Sequence, residues 1–308
     1  MGQNLLDRPI CLQLSGIHRA SIVHKDKLLG DDRLDSLKPV RRSSLRIYCG
    51  KKYYRMRRYW DWYFSSKTYA TEQEEVLLPH LIFTHQTPLV RQLKDVDMLL
   101  QYNKVKNLAI ASKRINGIVI KPGETFSYWR AIGSTSKRKG YVDGMILFYG
   151  KVKTGVGGGL CQLSNLIYWM TLHSPLTVTE RYRHSYDVFP DSKRSQPFGS
   201  GATCAYNYLD LQIKNETNQN FQLIVYLTDT HLVGEWRAVH PPTAKYEVYE
   251  QEHWISRTSW GGYVRHNTIY RKIYNLDNQL IADEFITDNH AIMMYEPLLP
   301  EHTTTSMR

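Results

Sequence analysis

Four of the five residues from Gly155 to Gly159 are glycine, and Cys161 follows where an apolar helical pattern begins. Glycine admits left-handed backbone and close approach that side chains resist, so the chain can turn here directly into a helix. Leu163, Leu166, Ile167 and Met170 recur at helical spacing between Gln162 and His173, and Tyr168 and Trp169 cover much of the remaining surface. A helix that is apolar on nearly every side belongs in an interior. The rest of the fold must therefore wrap around this one segment. Ser174-Pro175 ends it, because a residue before proline avoids the helical region.

The flanking sequence reads mostly as strands. Leu77 to Phe83 suits a short strand around Pro79, Ile118 to Ile120 a second, and Thr125 to Trp129 another, with a turn at Lys121-Pro122-Gly123-Glu124. Residues 140–154 suit a hairpin about Gly150. Leu176 to Arg181 and Ala202 to Lys214 read as strands. Phe221 to Leu227 and Leu232 to Arg237 also alternate, which suggests an antiparallel meander on the central helix. A second helix is expected over Val105–Ile115, with Asn103 as N-cap and Gly117 at its end. Residues 187–202 read as loop, and 243–296 as strands joined by turns at Trp260-Gly261-Gly262-Tyr263 and Leu276–Gln279. The fold class is α+β. A mainly antiparallel β domain packs around one buried central helix, with an N-terminal helical region and a C-terminal β appendage.

Net charge is +11, and residues 41–60 alone hold eight Lys or Arg and no acid. The same region carries Tyr48, Tyr53, Tyr54, Tyr59, Trp60, Trp62, Tyr63 and Phe64. The expected state is a solvated helix that buries its rings on the domain. An anionic membrane surface is the partner this composition would otherwise fit, and no nucleic-acid module surrounds it. Asp7, Arg8, His18, Arg19 and His24 break any N-terminal apolar core, and no apolar run reaches transmembrane length. The expected location is cytoplasmic, at most peripheral at the membrane.

The glycine loop first suggests phosphate binding, but residue identity argues against it. Leu160 stands where a dinucleotide fingerprint needs its third glycine, and Leu160-Cys161 follows Gly159 where a P-loop needs Lys-Ser/Thr. Cys11, Cys49, Cys161 and Cys204 form no CxxC pair, so neither zinc nor a disulfide framework is indicated, and no cofactor is implied. Cysteine chemistry fits better. A thiol at a helix start meets unpaired N–H groups and the positive end of the dipole, which should depress its pKa. His184, at the end of the following strand, is the leading base, and backbone N–H groups near Cys161 are the expected oxyanion donors. Asp210, Glu124 and Asp187 are candidates to orient His184. His173 is excluded as the base, since it lies about 18 Å along a continuous helix. The alternative is a small cysteine filling space after a tight turn.

The stretches IKPGETFSYW (120–129), GVGGGLCQLSN (155–165), LTVTERYRHS (176–185) and YLDLQIKN (208–215), with VKNLAIASKRIN (105–116), occur in the order of the VanW family, which Asn116 to Arg237 resembles. The family is named for an accessory protein of glycopeptide-resistance clusters, and some members are implicated in L,D-transpeptidation of peptidoglycan. The resemblance implies that Cys161 is the nucleophile forming a thioester with a stem peptide and that His184 is its histidine; Asp210 joins them in the expected catalytic set from the candidates above, not from the resemblance. The resemblance places Gly157, Gly158 and Gly159 before the nucleophile and Gln162 and Ser164 after it; Ser185 and Glu124 are further expected substrate-binding or oxyanion-loop residues, read from the residues themselves. The implied partner is a peptidoglycan stem peptide or wall precursor. The expected organisation is a poorly ordered or variable extension at 1–40, a basic aromatic region at 41–102, a VanW-like domain at 103–240 and the appendage at 241–308. An enzyme is favoured. The competing reading is a non-catalytic accessory protein that recognises wall precursors or the inner membrane surface.

Overall fold

A computed structural model describes residues 42–90, 97–148, 150–188, 196–258 and 260–296. The chain is mixed α+β and mostly β. Helix α1 spans Ser44–Phe64 and is opened by Ser43, whose side chain accepts from the Arg46 amide. Helix α2 spans Met98–Ile115, short α3 Tyr128–Ile132 and α4 Cys161–Leu172.

Four sheets surround these helices. In the first, β1 (His80–Pro88), β10 (His231–Ala238), β9 (Phe221–Leu227) and β2 (Ile118–Ile120) run antiparallel in that order. Helix α4 lies against β1 and β10, and α2 against β9. Gly234 of β10 permits this close approach, because a Cβ there would press into Met170 and Leu166 of α4. Leu163, Leu166, Ile167 and Met170 are buried with Trp236, Phe221 and Leu223. Each such apolar side chain contributes about 1.5–3 kcal/mol.

A second sheet joins β3 (Thr125–Ser127), β8 (Gln212–Lys214) and β6 (Thr177–Glu180). A hairpin pairs β4 (Asp143–Phe148) with β5 (Lys151–Val156). Three long strands, β11 (Lys245–Arg257), β12 (Tyr263–Tyr274) and β13 (Leu280–Met293), form the C-terminal sheet. The short strand β7 (Tyr186–Asp187) adds to it in parallel with Ile292–Met293. Two arginines tie this sheet to the centre. Arg271 donates to the Leu172 and Ser174 carbonyls at the end of α4, and Arg181 reaches Thr287 and Asn289 of β13.

Several elements differ from the sequence reading. The first strand starts after Pro79 rather than around it. Helix α2 begins about two turns earlier than expected, capped by Asp97, whose side chain accepts from the Leu99 amide. Asn103 is therefore inside the helix, where its amide donates to the Asp143 carbonyl. The helix does end as expected, with Gly117 at φ 83°. The strand at Thr125 stops at Ser127, because the Ser127 hydroxyl accepts from the Arg130 amide and starts α3. Apart from a turn at 206–208 closed by an Ala205–Leu209 bridge, 202–211 is irregular rather than strand, and Gln212–Lys214 is the part that joins a sheet. The expected meander is thus divided, since β8 pairs with β3 and β6 while β9 and β10 pair in the other sheet.

The aromatic segment departs furthest from expectation. Of the rings on α1 only Trp62 is buried, while Tyr48, Tyr53, Tyr54, Tyr59, Trp60, Tyr63 and Phe64 are exposed. What the helix buries beside Trp62 is Arg58. The expected poor order of residues 1–40 lies outside the described residues, as do 189–195 of the loop at 187–202. Among the described residues no helix is long and apolar enough to cross a membrane.

Candidate functional site

The glycine loop is held open by close packing. Gly157 and Gly159 have φ 80° and 93°, which suits glycine. Gly158 lies against the Gly144 backbone so closely that an added Cβ would run into the Gly144 carbonyl. Asn107 of α2 fastens the same contact. Its side-chain amide donates to the Val142 and Gly158 carbonyls, and its Oδ1 accepts from the Val142 amide. The loop therefore rests on the β4–β5 hairpin and α2, and it delivers Cys161 as the first residue of α4.

The amides of the loop are partly committed. Gly157 donates to the Val142 carbonyl, Gly158 to that of Gly155, and Gln162 to that of Gly159. Among the described residues the amides of Gly159 and Leu160 have no backbone acceptor, and no side chain caps the helix. Tyr128, fully buried, donates from its hydroxyl to the Leu160 carbonyl at 2.9 Å and fixes the turn from below.

Cys161 is half-buried, and its thiol points to the Cys204 carbonyl at 3.8 Å. Burial pushes this thiol up from its ordinary value, with backbone hydrogen bonding at Cys204 and at Cys161 itself pulling back only in part. The expected depression at a helix start is thus reversed, because loss of water around the sulfur outweighs the dipole. Cys204 is raised further still, by burial first and then by the neighbouring Cys161. The sequence reading named Cys204 but not its place beside Cys161, because it lies 43 positions away. Its approach depends on the irregular stretch from Ala202, which Asn165 and Ser164 of α4 bind through the Ala202 amide and carbonyl.

His184 is half-buried, and burial followed by the Arg181 charge brings its pKa down to about 4, with Asp187 acting in the opposite direction. It is therefore neutral at neutral pH. No hydrogen bond joins it to Cys161. Of the three acids considered as its partner, Asp187 is the one whose charge acts on it. Asp187 itself accepts from the Tyr295 hydroxyl and pairs with Arg265. Asp210 is fully buried and accepts from the Ser127 hydroxyl and the Trp129 and Leu211 amides, which fixes the start of α3. Burial raises its pKa to about 6. Glu124 caps its own turn by accepting from the Lys121 amide.

The remaining predicted residues brace the loop. Gln162 donates to Thr87 and the Pro88 carbonyl at the end of β1. Ser164 is buried and donates to the Cys161 and Ala202 carbonyls. The Ser185 side chain is exposed, and its carbonyl accepts from the Ile292 amide. His173, just past the C-terminal end of α4, donates from Nδ1 to the Trp169 carbonyl and stacks on Phe83 at 4.2 Å.

Beside Cys204 lies an ionic cluster that sequence reasoning did not find. Arg58 of α1 makes a two-pronged pair with Glu180 of β6, one arm at 2.8 Å, and donates from Nε to the Asn207 carbonyl. Breaking a buried pair of this kind costs about 3–5 kcal/mol. The Asn207 side chain is fully buried, with neither end hydrogen-bonded among the described residues. A cavity of about 390 Å³ opens between β6 and β13, lined by Tyr168, Val178, Glu180, Arg181 and Arg271 among others. Neither Cys161 nor His184 lines it.

Comparison with known proteins gives these features a family. Residues 103–237, which include the glycine loop, Cys161, His184 and Asp210, match the model described as VanW like protein. The Vancomycin B-type resistance protein VanW of Enterococcus faecalis is 36% identical over 223 residues, covering 72% of this chain and 79% of that protein. An uncharacterized protein, YoaR, of Bacillus subtilis is 32% identical over 116 residues, covering 37% of this chain and 36% of that protein. No solved structure matches. With that identity sustained across most of both chains, the protein belongs to the VanW family.

Proposed function

We propose that the protein is a vancomycin-resistance accessory protein that acts on wall peptides by cysteine-dependent acyl transfer at Cys161. The observation that carries this reading is the placement of Cys161 at the head of α4, beside two amides, Gly159 and Leu160, that have no backbone acceptor among the described residues. Such amides suit the oxygen of a tetrahedral intermediate. In the proposed step Sγ attacks the carbonyl carbon of a peptide bond in a stem peptide, and the thiol proton passes to a base. The peptide C–N bond then breaks, the leaving amine takes a proton, and a thioester remains. An acceptor amine attacks the thioester and restores the thiol. His184 is the proposed base, and its neutral form is the one able to take a proton. Because burial keeps the thiol protonated at rest, proton removal must accompany substrate binding. The Asn207 amide, buried without a partner among the described residues, suits a peptide group in the acyl donor.

The test is intact-mass analysis after incubation with a wall stem tetrapeptide. The expected result is a hydroxylamine-labile adduct on the wild type and none on Cys161→Ala. No adduct at any pH from mildly acid to mildly alkaline would sink the reading. One observation favours a second reading, a binding protein without chemistry: the raised thiol pKa at Cys161. In that case Cys161→Ala and His184→Ala leave wall-peptide affinity and any resistance phenotype unchanged.

A further inference from the structure

Helix α1 is amphipathic in an unusual sense, with a polar residue inside and an apolar stripe outside. Its buried residues, Arg58 and Trp62, are four apart and share one face. Leu45, Cys49, Tyr53, Met56, Trp60 and Phe64 recur at three- and four-residue steps, and at 100° per residue they fall on the opposite face. They face solvent, with Met56 70%, Trp60 67% and Phe64 69% exposed. Arg46 and Arg57 border the stripe on one side and Lys52 on the other, all exposed. No acid occurs in the helix before Asp61.

We infer that this face of α1 docks on an anionic lipid bilayer, lying flat with its rings among the headgroups. Charge selects the occupant. A second copy of the chain would bring the same basic borders together, whereas an anionic bilayer complements them and accepts Trp, Tyr and Met at its interface. Long Arg and Lys side chains can lie along the apolar stripe while their charges reach phosphate. The inner face of α1 explains why the helix can present this side. Arg58 is locked to Glu180 and to the Asn207 carbonyl, Trp62 donates to Ser127, and the Tyr59 and Tyr206 hydroxyls meet at 2.9 Å. The helix is thus held rigidly with its apolar side outward. Docking would set α1 between the bilayer and the 204–207 stretch beside Cys161. The docking surface itself faces away from Cys161 and stands apart from any acyl transfer there.

The test is vesicle flotation of the full chain, with no peptide substrate present. Wild-type protein is expected to float with vesicles containing roughly one-third phosphatidylglycerol, to float poorly with phosphatidylcholine alone, and to be released as salt rises. The triple variant Tyr53→Ser/Met56→Ser/Trp60→Ser should lose about tenfold in partition while its thermal melting stays unchanged, since these side chains are exposed. Lys52→Glu/Arg57→Glu should abolish the preference for phosphatidylglycerol. Wild-type protein that stays unbound, or a triple variant that floats as the wild type does, overturns the inference. So does a wild-type dimer by light scattering that the triple variant converts to monomer, because it assigns the stripe to a second copy.

Discussion

Asp210→Asn should change how stability depends on pH, and the size of that change follows from the site. The carboxyl group is wholly buried, and burial raises its pKa from 3.8 to about 6 despite the Ser127 hydroxyl and the Trp129 amide. The native state therefore holds this proton more tightly than the unfolded chain does. Asp210 contributes its full stability below about pH 4 and loses it as pH rises through 6. At about 1.4 kcal/mol per unit of pKa, the loss comes to about 3 kcal/mol. Asn keeps an acceptor for both amides and cannot ionise, although its amide leaves the Ser127 hydroxyl proton without its present acceptor. That defect lowers stability by a roughly constant 1 kcal/mol or so and does not affect the slope. Urea unfolding of both proteins at close pH intervals from 4 to 7.5 gives the difference directly. The variant should be the less stable at pH 4 and should gain on the wild type by about 3 kcal/mol before pH 7. Parallel profiles across that window would refute the assignment of a buried, late-titrating carboxyl to this position.

Two further outcomes are expected. Gly158→Ala should lower stability by about 2–4 kcal/mol in thermal unfolding, since its Cβ meets backbone at Gly144 that cannot swing aside, whereas Gly123→Ala, with open space but φ 82°, should lose only about 1 kcal/mol. Iodoacetamide labelling of native protein at pH 7.5, followed by peptide mapping, should modify exposed Cys49 well before Cys161, because burial keeps the latter protonated; faster labelling of Cys161 would show that the helix dipole prevails after all.

Much of the architecture was legible because it rests on local rules. The apolar period fixed α4 to within a residue, alternation located β9 and β10, and Gly117, Gly123 and Gly150 marked turns that all carry positive φ. Failures came where a partner lies far along the chain. The opening turn of α2 has no clear apolar period, so its Asp97 cap went unread. Helix α1 was read with its rings inward because Trp and Tyr usually bury and Arg usually does not. The preference inverts here because Glu180, 122 positions away, waits to pair with Arg58. In the candidate site, the position of Cys161 was legible and its ionisation was not. Helix-start logic considers only the backbone, while the thiol also responds to the Cys204 stretch folded over it.

The strand pairings also determine where the chain can be cut. The matched stretch begins at 103, yet β10 is flanked by β1, which ends at Pro88, and β7, two residues past His184, takes its partner from Ile292–Met293. Excising 103–237 would leave β10 as a bare sheet edge and free the His184 segment from its pairing with β13. The region most recognisable by descent is therefore not one that can be dissected out. Its last strand and its middle are stitched in by segments that lie outside it, so a fragment drawn at the family border should aggregate through the unpaired β10 edge, while the 308-residue chain should not.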